Sequence, residues 1–214
     1  MNNWLAVALL GVLCGSGPSA KAQETSTPRN ETMQPGIPAL SKGTWELGVF
    51  GGGGVVASLA PDTKFLVVGG RLGRIITADH FPGWLRGNFE IAGELMPAYV
   101  VFTPARNIYG VSVKAIPAQW NFTANRRVVP YLRVAGGILY STSNVPPGDS
   151  SRINFTPQVG GGFHWFMRPR RSLDFGCDVV HTSNANLGNT NLGYAYSFIA
   201  TVGYTFFGRS RERH

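Results

Sequence analysis

Cysteine is almost missing from this chain. Of its two cysteines, Cys14 lies in an apolar N-terminal run, and only Cys177 lies beyond it. One thiol leaves no intramolecular disulfide. An apolar run long enough for a transmembrane helix is missing too, since Trp4 to Cys14 is too short to cross a bilayer. Zinc-ligand spacing such as HExxH is absent, and His80, His164 and His214 are scattered, so they read as interfacial or tail residues rather than ligands. No cofactor is implied. The glycine runs 51–54 and 160–162 precede no helical pattern and carry no Lys-Ser/Thr, which excludes a phosphate loop. Close approach of backbones in a narrow sheet structure accounts for them better.

What is present begins with a leader. The Trp4–Cys14 run has the length of a signal-peptide core, and Ala20-Lys21-Ala22 comes after it as an A-x-A cleavage pattern, so the mature chain is expected to start at Gln23. Bulky Leu13 stands where a lipoprotein signal needs a small residue, which disfavours lipidation at Cys14. Removing residues 1–22 leaves 192 residues, one domain's worth, with a formal charge of 18 − 11 = +7. The basic residues cluster as Arg126-Arg127, Arg168-Pro169-Arg170-Arg171 and Arg209 to Arg213. These clusters fall at expected turns and the C-terminus, with no groove-reading motif beside them. They read as solvated charges near a membrane surface, not as a nucleic-acid site.

Residues 23–43 are polar and rich in Pro and Gly, which predicts a flexible periplasmic lead-in with no fold of its own. From Thr44 the texture changes to alternating apolar stretches broken by Pro, Gly, Asn and Asp. That repeated pattern predicts an all-β fold, an eight-stranded antiparallel transmembrane β-barrel over 44–207, with a basic tail at 208–214. The strands are expected near 44–57, 64–78, 84–102, 107–123, 128–141, 152–167, 172–185 and 194–207. An even count puts both termini on the periplasmic side. The turns 79–83, 124–127 and 168–171 then lie there, and 58–63, 103–106, 142–151 and 186–193 face outward. Pro97 and Pro117 within strands suggest bulges.

In the last strand Tyr194, Tyr196, Phe198, Ala200, Val202, Tyr204 and Phe206 share one parity, expected to face lipid. Arg86, Asn88, Glu90, Glu94, Lys114, Arg133, Asp174 and Asp178 fall on the inward parity, as a paired plug rather than a pore. A porin is set aside for that reason. In the seventh strand the outward parity holds Leu173, Phe175, Cys177 and Val179, and then His181 and Ser183 at the outer end. Two residues apart, His181 and Ser183 project from one face. They are either interfacial polar residues or a base–nucleophile pair aimed at the outer leaflet.

His181-Thr182-Ser183-Asn184-Ala185, with Leu187 and then Asn191-x-Gly193, resembles the H-x-S-N-A…N-x-G motif of the PagL-type lipid A 3-O-deacylases, an outer-membrane family also described as acyloxyacyl hydrolases. The resemblance implies an eight-stranded barrel in the outer membrane of a Gram-negative-type cell, acting on lipid A acyl chains of lipopolysaccharide. It implies Ser183 as nucleophile and His181 as general base. Asn184 and Asn191 become candidates for oxyanion stabilisation or for supporting the motif. The family pattern carries a glutamate two residues past the motif glycine, where this chain has Ala195. Asp178 has inward parity; Asp149, Asn191 and Tyr194 remain as groups that would orient the imidazole. The alternative is a non-catalytic structural or binding barrel that has lost the acidic member of its triad. Either reading leaves homodimerisation open.

Overall fold

The computed structural model describes residues 37–57, 62–147, 150–188, 190 and 194–208. The leader, residues 23–36 of the lead-in, Asp149, Asn191 and the tail beyond 208 lie outside the described residues. Among these residues nine strands form: β1 (Trp45–Val56), β2 (Lys64–Ile75), β3 (Gly87–Phe102), β4 (Asn107–Phe122), β5 (Val128–Ser141), β6 (Ile153–Phe155), β7 (Gln158–Arg168), β8 (Arg171–Thr182) and β9 (Tyr194–Phe207). Every pairing is antiparallel. β1 pairs with both β2 and β9, and β4 pairs with both β3 and β5, so the ring closes as an eight-stranded barrel. Closure pairs each of the eight ring strands on both sides, as a lipid-spanning strand requires.

The ninth strand arises because the expected sixth strand is broken. Pro157 cannot donate to a ladder. β7 pairs with the first part of β5 (Val128↔Trp165), and β6 pairs with its outer part (Ile138↔Phe155). Register shifts sit between Met96 and Tyr99 on β3 and between Ala115 and Ala118 on β4, at Pro97 and Pro117. Each extra residue flips the inward parity of the strand beyond it. Thus Glu90, Glu94 and Met96 point inward before the β3 bulge, and Tyr99 and Val101 after it. On β4, Lys114 points inward before the bulge, and Gln119 and Asn121 after it.

The outward surface is apolar. Leu47, Val49, Leu72, Leu95, Val113, Leu132, Val134, Val159 and Val202 are exposed around the middle, Leu47 to 63%. Trp45, Phe89, Trp165, Tyr204 and Phe206 ring the periplasmic end, and Phe102, Tyr109, Tyr140, Phe155 and Tyr196 the outer end. An apolar band between aromatic girdles is the lipid-facing wall of a membrane barrel.

The interior is layered. At the outer end Phe65, Val67, Met96, Tyr99, Ile108, Leu139, Val180, Tyr194 and Ile199 form an apolar cluster. Below it lies a network centred on Arg71. Its guanidinium bonds Glu46 (2.5 Å), Glu90 (2.5 Å) and Glu94 (2.8 Å). Glu94 also meets Lys114 (3.1 Å) and Arg133 (3.3 Å), and Arg133 forks onto Asp178, with Nε 2.8 Å from Oδ1. Arg86, expected inward with these, instead pairs with Asp79 at the periplasmic rim (2.8 Å). The network leaves a cavity of about 50 Å3, room for a few waters rather than a channel. Close approach sets two glycines: a Cβ on Gly54 would lie 2.9 Å from Ile199 Cγ1, and one on Gly162 2.6 Å from the Tyr131 hydroxyl.

The periplasmic mouth is stopped by a second apolar cluster of Ile37, Ala39, Leu40, Ile75, Val129, Phe166 and Phe207. This corrects the expectation for the end of the lead-in. Pro38–Leu40 forms a 3-10 turn inside the mouth, and Leu40 O accepts from Asn88 Nδ2 at 2.8 Å. Three apolar side chains within five residues, set against an apolar ring, outweigh the polar composition around them.

Replacing Arg71 with Met is expected to cost about 3–5 kcal/mol, because three glutamates lose their shared cation inside the barrel. Urea titration of the barrel folded in lipid vesicles reads this out. An unchanged midpoint would contradict the role of Arg71 as the hub.

Candidate active site at the outer end of strand β8

β8 keeps strict alternation up to its outer end. Asp178, Val180 and Thr182 are buried, while Cys177 and His181 are exposed and Ser183 is half-buried. His181 and Ser183 therefore leave the same outward face, with Cα atoms about 7 Å apart along the strand. Both are held by backbone from the broken sixth strand. His181 N–H donates to Pro157 O at 2.9 Å; Ser183 and Phe155 exchange N–H···O bonds of 3.1 and 2.7 Å. The outward side chains around them, Phe155, Val159, Tyr196 and Phe198, are exposed and apolar or aromatic. An imidazole and a hydroxyl are thus presented sideways at the outer edge of the lipid band.

On the other side, β9 carries a bulge against β8. Val180 pairs with Ser197, yet Thr182 pairs with Tyr194, so Ala195 and Tyr196 stand across from His181. The bulge also corrects the parity expected for Tyr194. Its ring is 3% exposed and packs edge-on against Phe65 at 6.0 Å, inside the barrel rather than toward lipid or His181.

After Ser183 the chain turns tightly. Ala185 and Asn186 both have positive φ, 49° and 64°. Asn184 is buried beneath this turn. Its Nδ2 donates to Thr190 O (2.9 Å), its Oδ1 accepts from Asn186 N–H (3.1 Å), and its carbonyl accepts from Leu187 N–H (2.9 Å). Asn184 therefore ties the strand end to the loop beyond it. The N–H of Ala185 makes no hydrogen bond among the described residues. Asn191 lies outside them.

The barrel does contain an aspartate–histidine pair, but elsewhere. His164 Nδ1 sits 2.7 Å from Asp174 Oδ1, and its Nε2 faces the Gln119 amide at 3.1 Å. With both ring nitrogens occupied inside the barrel, this pair is structural, and His164 is an interior residue rather than the interfacial one expected. Asp178 is committed to Arg133 in the interior. Among the described residues no group of three or more His, Cys, Asp or Glu is arranged to hold a metal.

A family model described as lipid A 3-O-deacylase (PagL) matches residues 78–205. The fold is similar to the N-terminal β-barrel domain of Pseudomonas aeruginosa OprF, at 14% identity over 78% of this chain and 98% of that one, with a TM-score of 0.51. It is also similar to Neisserial surface protein A, at 16% identity over 77% and 97%, TM-score 0.50. The outer membrane enzyme PagL aligns at 14% identity over 75% and 98%, TM-score 0.43. No curated protein matches the chain.

Asn184→Ala is expected to loosen the turn while sparing the barrel. Local protection of residues 185–188 in hydrogen exchange should fall by about 1–3 kcal/mol, the cost of leaving buried partners unpaired. Unchanged protection there would remove Asn184 from this anchoring role.

Proposed function

The chain belongs to the lipid A 3-O-deacylase (PagL) family, a family of the Gram-negative outer membrane, and from that membership we propose that it is a working esterase in which Ser183 and His181 remove an ester-linked acyl chain from lipid A. The observation that carries this reading is the shared outward face of His181 and Ser183 at the outer end of β8. A lipid substrate reaches that face without leaving its leaflet.

His181 takes the proton of the Ser183 hydroxyl as Oγ attacks the ester carbonyl. The tetrahedral oxyanion needs a donor, and among the described residues the N–H of Ala185 is the uncommitted one nearest in sequence. Collapse breaks the ester C–O bond, and His181 returns its proton to the departing sugar oxygen. Water, deprotonated by His181, then attacks the acyl-enzyme, releases the fatty acid and restores Ser183. Asn184 shapes the turn, and Asn191 belongs to the same loop motif.

A second reading has one observation in its favour. Ala195 occupies the position where the family pattern carries its glutamate, opposite His181 across the β9 bulge. A barrel that lacks the orienting acid is either a slow enzyme or a non-catalytic structural or binding protein. Loss of such an acid lowers turnover about 10⁴-fold in a serine protease triad without abolishing it.

Mass spectrometry of lipid A from cells producing the protein separates the two. Wild type should release one acyl chain, and Ser183→Ala should lower the rate by roughly three orders of magnitude or more. Intact lipid A with a folded, inserted wild-type barrel would favour the non-catalytic reading. Ala195→Glu should raise deacylation by about tenfold or more if a carboxylate at that position orients the imidazole. No gain, with the barrel folded, would mean that His181 is oriented by another group.

A further inference from the structure

The periplasmic rim carries a built feature that the outer site does not use. Because β5 pairs with β7, and Phe166 N–H donates to Arg127 O (2.8 Å), the β4–β5 and β7–β8 turns lie side by side. This sets Arg126 and Arg127 beside Arg168. Across the next ladder Arg168 is the direct partner of Arg171. All four arginines are exposed. Like charges opposite each other in a ladder repel, and neither Arg127, Arg168 nor Arg171 has a carboxylate partner among the described residues. The acid at this rim among those residues, Asp79, is held by Arg86.

Between the two turns runs an open groove of about 330 Å3. Arg126, Arg127 and Arg168 line it, with exposed Met167 as its accessible apolar side chain and Ile37 and Phe166 buried against the mouth cluster beside it. The exposed ring of Trp165, three residues before Arg168, puts the groove at the depth of the periplasmic aromatic girdle.

We propose that this groove is a binding site for the headgroup of an anionic phospholipid in the periplasmic leaflet. Guanidinium groups fork onto phosphate oxygens, and the exposed side chains of Met167 and Trp165 meet the adjoining glycerol and upper acyl carbons. A phosphate bound at Arg168 offsets the repulsion that Arg168 meets from Arg171 across the ladder. A zwitterionic headgroup fits less well, because its ammonium would meet Arg127 and Arg168, neither of which has a carboxylate beside it among the described residues. The proposal rests on the placement of the barrel in the outer membrane and is independent of catalysis at Ser183.

The test is native mass spectrometry of the full-length barrel, released from detergent in mixed phosphatidylglycerol and phosphatidylethanolamine. Wild type should retain phosphatidylglycerol preferentially. An Arg127→Glu/Arg168→Glu double variant should lose that preference by about 25-fold, near fivefold per arginine. Arg106→Glu, in an outer turn, should leave the preference intact. Heat-modifiable gel migration verifies folding, and Arg127→Gln/Arg168→Gln should shift retention in the same direction if charge reversal prevents insertion. Equal retention of the two lipids by wild type would overturn the proposal, as would an unchanged preference in the folded double variant. Displacement of phosphatidylglycerol by inorganic phosphate at matched concentration would also overturn it, by revealing a simple anion site.

Discussion

The guanidinium of Arg71 is the constraint on which the rest of this barrel depends. It gathers Glu46, Glu90 and Glu94 from two strands that flank its own, and through Glu94 it joins Lys114, Arg133 and Asp178. The linked residues come from β1, β2, β3, β4, β5 and β8, so one connected set of ion pairs spans most of the ring. Charges taken out of water are tolerable only when each finds partners of good geometry. The carboxylates therefore require the cations, and the cations fix which residues of neighbouring strands face each other. Register is set as a result, since a one-residue slip would carry these charges into lipid.

A filled interior decides where chemistry can occur. The charges of the polar middle are held by one another, and the two ends are closed by apolar clusters. On the proposed reading, the groups that meet a lipid belong to the outer wall, where His181 and Ser183 stand. The local irregularities cluster there too: the break at Pro157, the bulge of β9 and the left-handed turn at Ala185 and Asn186. Regular strands supply the scaffold, and departures from regularity aim the side chains.

Much of this is legible in the amino-acid order. Period-two alternation locates all eight barrel strands to within a few residues, because one face must meet hydrocarbon. It also points Glu94, Lys114, Arg133 and Asp178 inward. Glu46 and Arg71 are open to the same reasoning, since their neighbours Leu47 and Leu72 are plainly outward, but single charges among glycines carry little signal of their own. Gln119, Asn121 and Tyr194 are hidden for a physical reason: each lies past or beside a bulge, and a bulge reverses parity without a marker at the affected residue. The interior place of His164 is masked because a lone histidine on an aromatic strand looks interfacial. The closing turn at Ile37–Leu40 is obscured by its polar surroundings. For the site, spacing offers only two polar residues on one face. The longer motif lends them a chemical meaning, and the loop bonds of Asn184 depend on tertiary geometry that no spacing encodes.

The dry outer tier has a consequence for how any hydrolysis at Ser183 is supplied. Phe65, Met96, Tyr99, Ile108, Leu139 and Tyr194 seal the space directly behind the outer wall. The cavity that reaches Asp178 and Val180 of β8 from inside is about 50 Å3, too small for a channel. On the proposed mechanism, the water that resolves an acyl-enzyme at this outward face is drawn from the sugar-phosphate layer above the hydrocarbon. Turnover would then be coupled to the state of that layer: tight packing would starve the reaction of its second reactant, and loosening would restore it. A barrel of this kind would sense the compactness of the cell's surface coat through solvent supply alone, with no moving part.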